Sequence, residues 1–448
     1  MSMFFDRDQE LGVLEKVASS NRGELVIMYG RRRVGKSRIL TEFAKKHEAL
    51  YLLADLSKNI LDILSRQIKE EYVRFNDWDD FFEFLLKSKY KIIIIDEFQY
   101  LVKINKAWPS QLQRWWERIK DAEKKIILCG SIVSTIYRIA KGYGSPLYGR
   151  KTYELQILPL KFSQIKNFLP KYSIEELIEA YSVVGGIPRY LEELDPNKSI
   201  KENIREKILN RNSLLYNEPL NLLFEEFRDP SPYVSIILAI VQGYVRFNEI
   251  SSYSRIDVNK LPKYLLILER IGLIEKEIPV TERKIKTKFT RYKIKDNFYR
   301  FWFKFVFGNR SLIERGLEKD VLEEIEGEFN SYVSRIFEEV CEEVMMERNI
   351  FNFTRIGKWW HKDKEIDIVA LNEKRKEILF TECKWKNNVN AQRIIEELSE
   401  KIESIEWERK GRKEYLAVFA KSFSKRINEF ERRKVLCFDL KDLERIVF

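Results

Sequence analysis

A chain of 448 residues is too long for a single continuous core and predicts two or three folding units. Its 44% hydrophobic and 34% charged content provides the apolar material for a folded protein and excludes a disordered one. The 81 Lys and Arg outnumber the 70 Asp and Glu by 11, which suits a polyanionic partner, whereas 4 Cys without paired spacing and 2 His exclude a disulfide scaffold, a zinc finger and most histidine-based catalysis.

The opening MSMFFDRDQE has neither the basic start nor the apolar run of a signal peptide, and no stretch approaches about 18 apolar residues, so a cytoplasmic location without a membrane partner is expected. Through residue 159, short β-branched runs alternate with amphipathic stretches: ELVIMYG, a helix from Lys36, ALYLLADL, KIIIIDE and KKIILCGS. Apolar strands separated by helices predict an α/β core, a parallel sheet covered on both faces.

Gly30 to Ser37 reads GRRRVGKS, a full GxxxxGKS match directly after an apolar strand and directly before a helix. Such a loop wraps backbone N–H groups around the α- and β-phosphates at a helix N-terminus, while the lysine reaches the β/γ-phosphates and the serine hydroxyl ligates magnesium. Gly30, Arg31, Arg32, Arg33, Val34, Gly35, Lys36, Ser37 and Arg38 are therefore the expected nucleotide-binding set, with ATP and Mg2+ as cofactors. KIIIIDE ends in Asp96, placed for the metal's shell, and Glu97, placed to orient or deprotonate the attacking water. KKIILCGS ends in Ser131, at a sheet edge where a polar side chain senses the γ-phosphate or the water, and SPLYGRKT carries Arg150, a candidate for transition-state charge in cis or from a neighbour in a homo-oligomer.

GRRRVGKS, IIIIDEFQYL, CGSIVS, SPLYGRKT and GGIPRYL together resemble the archaeal ATPase family among the AAA+/STAND-type P-loop ATPases, over Met1 to about Glu225. The resemblance implies an ATP-binding core over 1–159, a helical lid over 160–229 and an attached winged helix, with sensor-like roles for Ser131 and Arg150. The lid also follows from the residues themselves, whose pattern from about 160 to 225 is helical and broken by Gly185, Gly186 and Pro188.

Residues 230–308 read as three helices followed by two strands, the pattern of a winged helix-turn-helix with a hairpin as wing. Between Thr281 and Lys295 the wing carries Arg283, Lys284, Lys286, Lys288, Arg291, Lys293 and Lys295 against one acid, Glu282, a run suited to DNA phosphates.

Residues 309–448 predict a small mixed α/β domain: a long amphipathic helix, strands EIDIVAL and EILFTECKW, a helix from about Ala391, and apolar segments EYLAVFA and KVLCFDL. In EILFTECKW, Glu382 and Lys384 share one strand face, and a turn near residues 372–376 brings Asp367 beside Glu382. Two carboxylates and a lysine in this pattern bind a divalent cation, Mg2+ or Mn2+, and activate water against a phosphodiester. Glu338 on the preceding helix is the expected third acid, with Glu365 as a substitute ligand. Glu338, Asp367, Glu382 and Lys384 resemble the site of the PD-(D/E)xK nuclease superfamily, which implies a restriction-endonuclease-like fold, although Ile366 stands where that pattern has proline. Trp359 and Trp360 are expected in the core, with base stacking as the other use of exposed rings. The sequence thus predicts an ATPase that binds and cuts DNA; the competing expectation is a nucleotide-controlled switch whose last domain only binds.

Overall fold

The computed structural model describes residues 7–68, 73–137, 139, 144–283 and 289–448. Two compact units divide the chain: Met1–Pro159 with Phe224–Arg228, and Leu160–Leu223 with Asp229–Phe448.

The first unit is built on five strands, β1 (Glu24–Tyr29), β2 (Ala49–Leu53), β3 (Ile92–Asp96), β4 (Lys125–Gly130) and β5 (Tyr153–Gln156), all parallel in the order β2-β3-β4-β1-β5. The inner strands β1, β3 and β4 are buried at every residue, which is why they read as unbroken apolar runs. The edge strands β2 and β5 alternate buried or half-buried with more exposed positions. Because the strands are parallel, Gly30, Asp96 and Ser131 emerge along the same sheet edge, with β4 between the strands that carry the other two.

The segments expected as winged helix and nuclease-like domain belong to the second unit, as does the expected lid except Phe224–Arg228, which joins the first. Helix Ile174–Val184 starts with a capping box, Ser173 and Glu176 exchanging hydrogen bonds. Helices Ser231–Val241, Phe247–Ser254 and Leu261–Arg270 are followed by an antiparallel hairpin of β6 (Ile274–Glu277) and β7 (Arg291–Ile294). Helix Glu318–Glu347 runs 30 residues and buries a stripe from Val321 through Val344. Behind it come β8 (Arg355–His361), β9 (Lys364–Asn372), β10 (Glu377–Lys384), β11 (Val389–Asn390), β12 (Lys413–Ala420), β13 (Phe423–Lys425), β14 (Glu429–Phe430) and β15 (Arg433–Phe438). Six of them form a mixed sheet in the order β14-β15-β12-β10-β9-β8, covered by helix Ala391–Ile402. Among the described residues no helix is long and apolar enough to cross a membrane.

The hairpin is fastened to the edge of this sheet. Val280 N–H donates to the Lys358 carbonyl of β8 at 2.9 Å, and the Val280 side chain enters the core that holds Trp359, Ile366 and Ile378. Trp359 and Trp360 are buried, in accord with their expected place in the core.

Leu160 and Gly186 approach so closely that a Cβ on Gly186 would lie 1.8 Å from the Leu160 carbonyl oxygen. Leu160 N–H donates to Gly186 O at 2.7 Å, so neither backbone can retreat without losing that bond. Gly186→Ala is expected to destabilise the second unit by about 2 to 3 kcal/mol; a urea midpoint equal to that of the unmodified protein would show that this contact yields freely.

Candidate functional site

The loop after β1 turns through two left-handed residues, Arg33 at φ 68° and Gly35 at φ 96°, before helix Lys36–Lys46 begins. Glycine meets the second requirement without strain. Gly30 is needed for a different reason: a Cβ there would lie 2.3 Å from the Ile157 carbonyl oxygen. Lys36 is buried, and its ammonium donates to the loop's own carbonyls, Gly30 O at 2.9 Å and Arg31 O at 2.8 Å. Burial lowers its pKa, opposed by the charges of Glu97 and Asp96. Arg32 is fixed by Glu225 at 2.7 Å and by the Tyr100 hydroxyl at 2.8 Å.

At the end of β3, Asp96 is almost fully buried and accepts at both oxygens, from the Tyr51 hydroxyl at 2.6 Å and from Glu97 N–H at 2.9 Å. Glu97 itself adopts φ 54°, and its carboxylate accepts from the Ser131 hydroxyl at 2.7 Å and from the Gln99 amide. The Gln99 amide reaches Ser131 as well, at 3.4 Å, so Glu97, Gln99 and Ser131 form one cluster beside Asp96. Gly130 admits it: a Cβ there would lie 2.4 Å from Gln99 Oε1. Ser131, expected to face phosphate or water, is bonded to the carboxylate expected to activate that water. Arg150 is placed elsewhere, its guanidinium 2.9 Å from the Gln113 amide oxygen when that amide is turned to accept.

In the second unit, β9 and β10 pair in antiparallel register from Glu377 opposite Asn372 to Thr381 opposite Ile368, and Glu382 and Asp367 are the residues next beyond that last pair. Asp367 accepts the Cys383 N–H at 2.8 Å. Lys384 Nζ lies 2.5 Å from Glu382 and 3.8 Å from Asp367, between the two carboxylates. A second lysine unforeseen in the sequence, Lys401 of helix Ala391–Ile402, meets the other Glu382 oxygen at 2.6 Å. Burial first, then the charges of Glu382 and Glu338, push Asp367 up to about 7 against the pull of Lys384.

Glu338 does not complete a three-acid shell. It is paired with Lys358, which also lies 3.7 Å from Glu365, and Glu365 in turn meets Arg291 of the hairpin at 2.8 Å. Among the described residues no group of three or more His, Cys, Asp and Glu is arranged to hold a metal ion. The wing likewise departs from expectation. Arg283 pairs with Glu373 at 3.2 Å, Lys293 with Glu277 at 2.8 Å and Glu275 at 2.9 Å, and Lys295 with Glu275 at 3.6 Å, while Arg291 also covers the Trp360 ring at 4.4 Å. Lys284, Lys286 and Lys288 lie outside the described residues.

The family described as an ATPase domain predominantly from Archaea matches residues 4–54 and 49–194, and one described as archaeal and bacterial proteins of unknown function matches 302–395. Over 452 aligned positions the chain is 37% identical to the "Uncharacterized protein MJECL04" of Methanocaldococcus jannaschii, covering 98% of this chain and 100% of that one. The chain belongs to that protein's family. A 41-residue stretch is 46% identical to the "Uncharacterized ATP-binding protein MJ0423" of the same organism, covering 9% of this chain and 70% of that one. Among solved structures, the Walker-type ATPase PABY2304 of Pyrococcus abyssi shares the fold at TM-score 0.50 and 21% identity, covering 67% of this chain and 96% of that one. The family's archaeal ATPase domain therefore occupies the first unit and the start of the second, and part of the mixed sheet lies in the other matched region.

Because the folded state binds a proton at Asp367 more tightly than an ordinary aspartate does, the stability this group contributes is complete below about 3.8 and is lost as pH rises through about 7. Asp367→Asn removes that loss. In EDTA its melting temperature is expected to rise relative to the unmodified protein from pH 4 to pH 8; a constant difference across that range would show that the lysines compensate Asp367 fully.

Proposed function

We propose that the protein is an ATP hydrolase that acts on DNA, the first unit binding Mg2+-ATP and the second cleaving phosphodiesters with a divalent cation. The ATPase part rests on the family and on the P-loop of Gly30–Ser37 meeting an acid pair at the end of β3. The cleavage part is carried by one observation, the meeting of Asp367, Glu382 and Lys384 on neighbouring strands.

In the first unit, the N–H groups of residues 30–38 receive the phosphates, and Lys36 exchanges its two loop carbonyls for phosphate oxygens. Ser37 and Asp96 are the residues to hold magnesium, which when bound neutralises charge on the transferring phosphoryl group. The donor set suits it, a hydroxyl and a buried carboxylate at the same sheet edge. Glu97 takes the proton of the attacking water, and Ser131 and Gln99 fix its carboxylate for that purpose. Arg150 in this reading acts in trans, within a homo-oligomer.

In the second unit, Asp367 and Glu382 are oxygen donors of the kind Mg2+ or Mn2+ takes, and a cation there would relieve both the burial cost of the Asp367 carboxylate and its repulsion by Glu382. Held by Asp367 and Glu382, such a cation would supply polarisation of the phosphodiester. Lys384 then serves the water or the phosphate. DNA is the polyanion that suits the +11 balance, and the three helices with hairpin of residues 231–294 are read as a winged helix that grips it. A second reading has its own support: Glu382 already accepts from two lysines, as it would in a fold that binds without cutting and serves a nucleotide-controlled switch.

Lys36→Ala is expected to abolish ATP binding, and Glu97→Gln to retain ATP while turnover falls about 100-fold; normal turnover in Glu97→Gln would assign the base elsewhere. With magnesium or manganese the protein is expected to nick or cleave DNA and Lys384→Ala to lose cleavage while keeping ATP hydrolysis. Absence of cleavage on duplex, single-stranded and branched DNA alike would favour the switch.

A further inference from the structure

A P-loop works only when its N–H groups converge on one point, and this requires that its carbonyls face away and be satisfied there. One of these carbonyls has an unusual partner. Arg7, just ahead of helix Asp8–Ala18, is 6% exposed and donates through one guanidinium nitrogen to Val34 O at 2.9 Å. The same nitrogen donates to Leu158 O at 3.0 Å, and the other terminal nitrogen meets Glu10 at 2.9 Å. The neighbour of Leu158, Ile157, lays its carbonyl against Gly30 closely enough to exclude a Cβ, and Ile157 N–H donates to Tyr29 O at 2.7 Å. The first glycine of the loop and the residue before its second glycine are thus both gauged against residues 157–158, one by close approach and the other through Arg7.

Burying a guanidinium costs desolvation, which partners must offset. Glu10 supplies charge at one terminal nitrogen, while the two carbonyls fix the position of the other, so the rigid spacing of the guanidinium fork sets all three contacts at once. A lysine ammonium can donate to carbonyls, as Lys36 does, but it has no second nitrogen at fixed spacing to keep Glu10 in place as well. Nothing in the described contacts brings Arg7 to Asp96, Glu97 or Ser131, so its effect passes through the loop.

We infer that Arg7 is a positioning residue for the nucleotide site, holding the P-loop open to phosphate by fixing the Val34 carbonyl to the segment that follows β5. This rests on the reading of residues 30–38 as the ATP site. Loss of the fork leaves the groups around Glu97 in place but lets the loop relax, so it weakens nucleotide binding more than it slows the chemical step.

The test uses the full chain, a fluorescent ATP analogue with Mg2+ for Kd, and phosphate release for KM and kcat. Arg7→Ala is expected to raise Kd and KM about tenfold, and Arg7→Lys about threefold, with kcat within about threefold in both. The melting temperature without nucleotide tells a loosened loop from a lost fold; should Arg7→Ala fail to fold, Arg7→Lys alone decides. An unchanged Kd in Arg7→Ala, or in Arg7→Lys should Arg7→Ala not fold, would overturn the two-carbonyl clamp, and a fall in kcat at constant KM would place Arg7 in the chemistry instead. If the unmodified protein itself bound no ATP analogue, the reading of the site would fail, a result distinct from normal binding in the variants.

Discussion

A parallel sheet brings the carboxyl ends of all its strands to a single edge, and at that edge the insertion of β4 between β1 and β3 spaces every group of the nucleotide site. With β4 between them, the gap is filled by what that strand ends in, Gly130 and Ser131. Gly130 leaves room for the Gln99 amide, and Ser131 and Gln99 then hold Glu97 beside Asp96. The strain of a non-glycine residue at φ 54° is carried by Glu97 itself, at the position where an acid has to leave the strand and turn toward its neighbours.

The second unit meets a different constraint, the cost of carboxylates out of water. Glu382, Asp367, Glu338 and Glu339 all lie on or beside the central strands and the long helix, and each is met by cations from other elements. Lys401 and Lys384 share Glu382, Lys358 takes Glu338, and Arg300 takes Glu339 at 2.9 Å with Lys293 at 3.7 Å. Through Lys358 and Glu365 this lattice continues to Arg291, so the hairpin and the expected catalytic acid are joined by three consecutive ion pairs. Partial burial makes such a chain worth more for fixing geometry than for stability, since desolvation consumes much of the attraction.

What the sequence made legible follows from the range of the signal. The P-loop is eight consecutive residues between a strand and a helix, and the Glu382–Lys384 face follows from the two-residue period of a strand, so both could be read locally. Asp367 required one further inference, a hairpin register, and the turn before Glu377 supplied it. Strand β8 was not read because RIGKWWH interleaves basic and aromatic residues, and its turn at Lys362–Asp363 lacks a glycine although Lys362 sits at φ 54°. Lys401, Lys358, Tyr51 and Arg7 carry no local signature at all. Their roles arise from side chains that fold back across elements far apart in the chain, and Glu338, correctly placed on its helix, is turned to Lys358 by a strand that was not foreseen. The Gln113 partner of Arg150, on helix Trp108–Asp121, is likewise far from it in the chain and carries no local signature.

The charge balance shows the cost of reading a cluster without its surroundings. The four described basic residues between Thr281 and Lys295 all face carboxylates: Lys293 and Lys295 pair within the hairpin, while Arg283 and Arg291 strap it to the sheet, so the charge of these four is already met. A phosphate backbone is attracted by cations whose charge is not already compensated. On the helices ahead of the hairpin, Arg255, Lys260 and Lys263 are exposed, and among the described residues none of the three is paired with a carboxylate. If this unit grips DNA, these three, at the start of helix Leu261–Arg270 and in the turn before it, are described cations of the three-helix segment free to meet phosphate, whereas those of β7 are already paired.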